Sequence, residues 1–115
     1  GEPQPLRLAP LHMDVHAGNI IQGETGLHLI DWEYAADGDV ALELAALCAS
    51  DPQNQADWLA DYAAAMRLPP DALVKQVRRW QPWLRLLIAS WYQLRAAQCG
   101  DEALQQMARQ SWQQI

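Results

Sequence analysis

Residues 12–19 constrain this chain more than any other stretch, because they set His12, Asp14, His16 and Asn19 within eight positions. Polar groups packed this densely between apolar residues suit neither a core nor a solvated face. The residues that follow narrow the local fold further. Asn19-Ile20-Ile21-Gln22 and Leu27-His28-Leu29-Ile30 flank the segment Gly23-Glu24-Thr25-Gly26. Two apolar runs around a Gly-containing turn of four residues predict a β-hairpin. Such a hairpin returns the chain on itself and brings Asp31 beside Asn19.

This juxtaposition suits phosphoryl transfer from a nucleotide. That reaction asks the protein for a carboxylate to orient and deprotonate the attacking hydroxyl, and for oxygen ligands that fix Mg²⁺ on the phosphates. Asp14 is placed for the first task. Asn19 offers a neutral carbonyl oxygen five residues on, and Asp31 a carboxylate across the hairpin. The rival chemistry is a zinc site from His12, His16 and Asp14, since histidines at i and i+4 share a metal on a helix. Gly18 disfavours a helix there, and no Glu stands between the histidines to serve as a base. The expectation is therefore magnesium.

The motif His12-x-Asp14-x-x-x-x-Asn19 followed by Ile30-Asp31-Trp32-Glu33 resembles the catalytic loop and metal-binding segment of the aminoglycoside phosphotransferase and choline kinase superfamily. Gly38-Asp39-Val40-Ala41-Leu42-Glu43-Leu44-Ala45 is similar to the helix that follows in that superfamily. The resemblance covers nearly the whole chain. It implies an α+β, mainly α fold: the C-terminal lobe of a protein-kinase-like domain, with a small β-hairpin carrying the metal-binding residues. It also implies ATP as co-substrate, with Asp14 as catalytic base and Asn19 and Asp31 as Mg²⁺ ligands. His12 and His16 match loop-supporting histidines. Asp39 matches an acidic residue that braces the loop, a role compatible with capping the helix after it. Glu43 stands where the superfamily usually has Asp and is assigned no chemistry.

The size and charge of the chain fit this reading. With 115 residues it is one domain at most. A net charge of −6 argues against nucleic acid and suits a cationic substrate. No apolar run approaches a membrane span and no leader pattern opens the chain, so a cytoplasmic protein is expected. Cys48 and Cys99 fall in helical settings and are expected to be reduced. The opening GEPQPLRLAP carries three prolines and too little apolar content to form an element alone, and it reads as an entry in mid-protein. Lys75 is the one lysine, and no GxGxxG or GxxxxGK occurs. The N-terminal, ATP-gripping lobe that the resemblance implies is thus expected to be absent and to pack against this one in the whole protein.

Helices are expected for the rest. Asp37-Gly38-Asp39 reads as a turn leading into a helix over 40–50, with Asp39 as its N-cap. Asp51-Pro52 starts a helix to about Arg67, and Pro69-Pro70 ends it. Asp71 caps a third, striped by Leu73, Val77, Trp80 and Leu84, which Pro82 should kink or interrupt. Trp83–Trp91 reads as a buried helix ending near Gly100. Asp101 starts the last, with Leu104, Met107, Ala108 and Trp112 inward.

Of six tryptophans, Trp58, Trp80 and Trp112 are expected in the core. Trp91, and more weakly Trp83, are candidates to line a cation pocket, because aromatic faces attract organic cations. Glu33 is a candidate acidic wall. The resemblance points to thiamine, with its charged thiazolium ring, as the acceptor whose hydroxyl is phosphorylated. Choline, an aminoglycoside or another small hydroxyl compound is the alternative. The alternative of another class is a non-catalytic binding module or pseudokinase. The 115 residues alone are expected to be inactive.

Overall fold

The computed structural model describes residues 3–115. Its hairpin forms where the apolar runs place it. β1 is Leu8–Leu11, β2 Ile20–Gly23, β3 Gly26–Leu29 and β4 Ala36–Asp39. β2 pairs antiparallel with β3, with Ile20 opposite Leu29 and Gly23 opposite Gly26. The ladder therefore continues to both glycines, and the turn is Glu24-Thr25, not the expected four residues. Gly26 takes φ +120°, a conformation that L side chains rarely adopt.

The second strand pair is a correction to the sequence reading. The Pro-rich start does form an element: β1 pairs antiparallel with β4, Leu8 opposite Asp39 and Leu11 opposite Ala36. β4 contains Asp37-Gly38-Asp39, expected as a turn. The segment before β1 lacks apolar content of its own, so other elements hold it. Arg7 donates through Nη1 to the Met66 carbonyl at 3.1 Å, the Arg7 carbonyl accepts from Val40 N at 3.0 Å, and the Gln76 amide donates to the Gln4 carbonyl.

Four helices follow: α1 Val40–Ser50, α2 Gln55–Met66, α3 Pro70–Cys99 and α4 Glu102–Gln113. Asp39 caps α1 as expected, accepting from Ala41 N. A 3₁₀ turn, Pro52–Asn54, precedes α2. Asp51 does not cap it through the backbone; its carboxylate takes hydrogen bonds from Asn54 Nδ2 and Trp58 Nε1 instead. Arg67 ends α2 in the left-handed region, at φ +55°. α3 begins at Pro70, which puts Asp71 in its first turn rather than at its cap.

Pro82 does not interrupt α3, which is helical from Pro70 to Cys99. Proline removes one i→i−4 bond, and the flanking turns keep theirs. The chain nevertheless divides there into two compact units, one ending at Trp80 and the other covering Gln81–Ile115. In the first, Leu11, Val40, Ala41, Leu44, Ala45, Cys48, Leu59, Ala63, Leu73, Val77 and Trp80 are buried. In the second, the buried apolar residues are Leu84, Ala89, Ala96 and Ala108.

The expectation of a buried Trp83–Trp91 helix fails on this point, for Trp83, Leu86, Leu87, Ile88 and Trp91 are all exposed by 39–49%. Trp58, Met107 and Trp112 are likewise exposed rather than core. Helical spacing puts side chains on one face but does not say what covers that face. Asp101 caps α4 by accepting from Ala103 N at 2.8 Å, and Gly100 takes φ +64° between α3 and α4. Both cysteines are free, Cys48 buried and Cys99 exposed. Among the described residues no helix is long and apolar enough to cross a membrane.

Candidate active site

The loop between β1 and β2 is organised by the His12 imidazole. Its Nε2 lies 2.7 Å from the Ile30 carbonyl, which can only accept, so Nε2 carries the hydrogen. Nδ1 then accepts from the Asp14 amide at 3.1 Å. A neutral Nε2–H ring satisfies both bonds, and a ring bearing both hydrogens would lose the second. One buried side chain therefore ties the backbone of Asp14 to the residue just before Asp31. Trp32 closes over it, edge to face at 4.6 Å, with its own Nε1 donating to the Leu29 carbonyl.

Asn19 fixes the other end of the loop. It is buried, and its Nδ2 donates to the Asp14 carbonyl at 2.9 Å and to Asp14 Oδ2 at 3.1 Å. The same amide nitrogen also lies 3.1 Å from His16 Nε2, so its hydrogens face three neighbours. Since a carboxamide is planar, its oxygen diverges from those contacts. The Asn19 carbonyl accepts from Ile30 N at 2.8 Å, so the hairpin does bring Asn19 next to the residue preceding Asp31. Asp31 sits at φ +61°, a region that Asp tolerates better than most residues.

His16 opens the 3₁₀ turn Ala17–Asn19 and accepts at Nδ1 from Gly18 N at 3.1 Å. Its Nε2 lies 3.1 Å from Asn19 Nδ2 and 3.6 Å from Asp14 Oδ1. A Cβ on Gly18 would lie 2.9 Å from His16 Cε1, so the ring folds back only over glycine. The Asp14 carboxylate is thus held at Oδ2 by Asn19 and remains about a third exposed, within reach of a ligand.

Asp39 is buried, and its contacts run elsewhere than the loop. Oδ1 accepts from Ala41 N at 3.2 Å and Arg7 N at 3.4 Å; Oδ2 accepts from Gln76 Nε2 at 2.9 Å and Trp80 Nε1 at 2.8 Å. Burial pushes this carboxyl up, but the hydrogen bonds from Trp80, Gln76 and the backbone at Ala41 and Leu6 outweigh it and hold the pKa below 3.8. The loop backbone is gripped instead by Glu43, whose Oε1 accepts from His12 N at 2.9 Å and Met13 N at 2.8 Å. Sequence reasoning gave Glu43 no task. The available signal was its place as the sole charge in the apolar helix Val40–Ser50.

Glu33 lies exposed two residues beyond Asp31. Trp91 belongs to the second unit, where its ring meets Tyr92 edge to face at 5.1 Å and carries the Arg95 guanidinium 5.8 Å from its centroid. The face of Trp91 thus already accommodates a cation.

For a metal, the donors at hand are oxygens. Among the described residues no cluster of three or more His, Cys, Asp or Glu could hold an ion. His12 has both ring nitrogens engaged, which argues against zinc. A carboxylate and a carboxamide oxygen, completed by phosphates and water, are what Mg²⁺ prefers, and Asp31 and Asn19 fit that set.

Residues 2–73 match the family described as "Phosphotransferase enzyme family". The thiamine kinases of Escherichia coli (strain K12), Escherichia coli O157:H7 and Shigella sonnei (strain Ss046) are each 50% identical to this chain over 114 residues. These matches cover 99% of this chain and 42% of each relative, so the chain spans about two fifths of the length of the curated relatives it matches. No solved structure matches.

Proposed function

The chain belongs to the phosphotransferase enzyme family, and from that premise we propose that the full-length protein transfers the γ-phosphoryl group of ATP to the primary hydroxyl of thiamine, giving thiamine monophosphate. The acceptor rests on the 50% identity to proteins named thiamine kinase. One structural observation carries the chemistry. His12 joins the Asp14 amide to the Ile30 carbonyl and so sets the base and the residue next to Asp31 in one frame.

In this reading Asp14 accepts the hydroxyl proton as the acceptor oxygen attacks phosphorus and ADP leaves. The Asn19 amide holds the Asp14 carboxylate in the direction it needs. Asn19, through its carboxamide oxygen, and Asp31 would hold Mg²⁺, which when bound neutralises charge on the phosphates. Glu33 and Trp91 are proposed as acceptor contacts, each for its own chemistry: a carboxylate and an aromatic face both favour a thiazolium cation. The rest of the full-length protein supplies the ATP-gripping lobe, and the 115 residues by themselves are inactive.

The test is ADP release by the full-length protein with Mg²⁺-ATP and, separately, thiamine, choline and an aminoglycoside. Turnover with thiamine alone is expected. Turnover with another acceptor would replace the substrate and keep Asp14. No turnover with any would move a non-catalytic binding role to first place.

A further inference from the structure

Arg95 stands one helical turn after Trp91 in α3, and side chains on a helix lean back towards its N-terminus. That direction lays the Arg95 guanidinium over the Trp91 indole, 5.8 Å from its centroid. No carboxylate draws the guanidinium away. The residues three and four positions from Arg95 are Trp91, Tyr92, Gln98 and Cys99, and Asp101 and Glu102 lie past the end of the helix. Among the described residues Arg95 forms no ion pair. Trp91 nevertheless remains 39% exposed, so the contact stands in water, where an arginine changes rotamer within nanoseconds.

We propose that Arg95 is a competitor built into the acceptor site: in the free protein its guanidinium occupies the Trp91 face, and the acceptor's cation displaces it on binding. The inference rests on Trp91 being an acceptor contact, as proposed above. A guanidinium and a thiazolium are both flat cations with delocalised charge, and both are drawn to the negative face of an indole. One face of one ring takes one of them at a time. Displacement costs the Arg95–Trp91 contact and returns the guanidinium to water. That cost falls on acceptor binding alone, since the chemistry begins only after the exchange is complete. Arg95 thus sets the acceptor affinity below what Trp91 by itself would give.

The test uses the full-length protein, with steady-state kcat and KM for thiamine and ATP and a calorimetric Kd for thiamine. Arg95→Ala is expected to lower both KM and Kd for thiamine about two- to fivefold, the range that an exposed cation–π contact sets, with kcat and KM for ATP unmoved. A merely structural role gives the opposite sign, because damage to α3 weakens binding and does not strengthen it. In the Trp91→Ala background the same substitution should change nothing, for no face is left to contest. If Arg95→Ala does not fold, Arg95→Gln replaces it, since glutamine keeps the stem and the helix propensity without the charge.

An unchanged or raised KM in Arg95→Ala would overturn the proposal. So would an equal fall in KM with and without Trp91, which would assign the effect to charge repulsion through space and not to occupancy of the ring. Trp91→Ala, run alongside, separates two failures. If it leaves KM for thiamine unmoved, the assignment of Trp91 to the acceptor site is wrong; if it raises KM while Arg95→Ala does not lower it, only the competitor is wrong.

Discussion

The two compact units hold their side chains in place by different means. In the unit ending at Trp80, polar groups are buried and each is bound to another: His12 to Ile30 and Asp14, Asn19 to Asp14, Asp39 to Gln76 and Trp80. No buried side-chain nitrogen or oxygen among the described residues lacks a partner. In Gln81–Ile115 Trp83, Leu87, Leu94 and Trp112 are exposed by 41–59%, and apart from Leu84 what is buried is alanine. Directional bonds fix angles as well as distances, whereas apolar contact fixes neither closely. Chemistry that needs a carboxylate aimed at one oxygen therefore belongs to the first unit. The second contributes surface.

The contrast can be broken most directly at Asp14. In the full-length protein Asp14→Asn should lower kcat roughly 100- to 10,000-fold, the span of general-base contributions, while nucleotide binding measured by calorimetry stays largely intact. Loss of nucleotide binding instead would make Asp14 structural. Next in size is Asp39→Ala, which strands the Trp80 and Gln76 donors and removes the α1 cap. It should cost about 3 kcal/mol or more in urea denaturation, and a cost under about 1 kcal/mol would mean that these bonds do not anchor the unit.

Asp39 also gives the unit an acid limit. Its hydrogen bonds hold the folded carboxyl below its ordinary value, so on acidification the unfolded chain takes up the proton first. The stability it contributes is complete above its unfolded value and is lost as pH falls through that value towards the lower folded one. Denaturation followed from pH 6 down to 2 should show this loss, and Asp39→Asn should flatten it. An unchanged acid limb in the variant would assign the loss to another carboxylate.

Smaller effects are expected from the acceptor contacts. Glu33→Gln and Trp91→Ala should each raise KM for thiamine several-fold, about 1 kcal/mol, with kcat little changed. An unmoved KM in either removes that residue from the acceptor site. Smallest of all, Leu87→Ser in the second unit should shift stability by no more than about 0.5 kcal/mol, as for an ordinary surface substitution. A larger loss would show that Leu87 is covered in the full-length protein.

The hairpin, the cap at Asp39, the span of α1 and the stripe Leu73, Val77, Trp80 and Leu84 were legible in the chain itself. Each depends on neighbours a few residues apart, through period-2 or period-3.6 patterning or a side chain reaching the nearest amide. The crowding of His12, Asp14, His16 and Asn19 was legible for the same reason. Strand β1 was not, because its pairing with β4 lies some thirty residues off and nothing in Leu8–Leu11 marks it as a strand. Exposure of Trp83 and Leu87 was hidden too, since apolar spacing defines a face and not its cover. Above all, Glu43 looked like a stray charge in an apolar helix. Only the folded chain sets its Oε1 under the amides of His12 and Met13, thirty residues upstream. Local sequence chose which groups could act, and tertiary contacts, which alone bridge distant segments, decided how they are held.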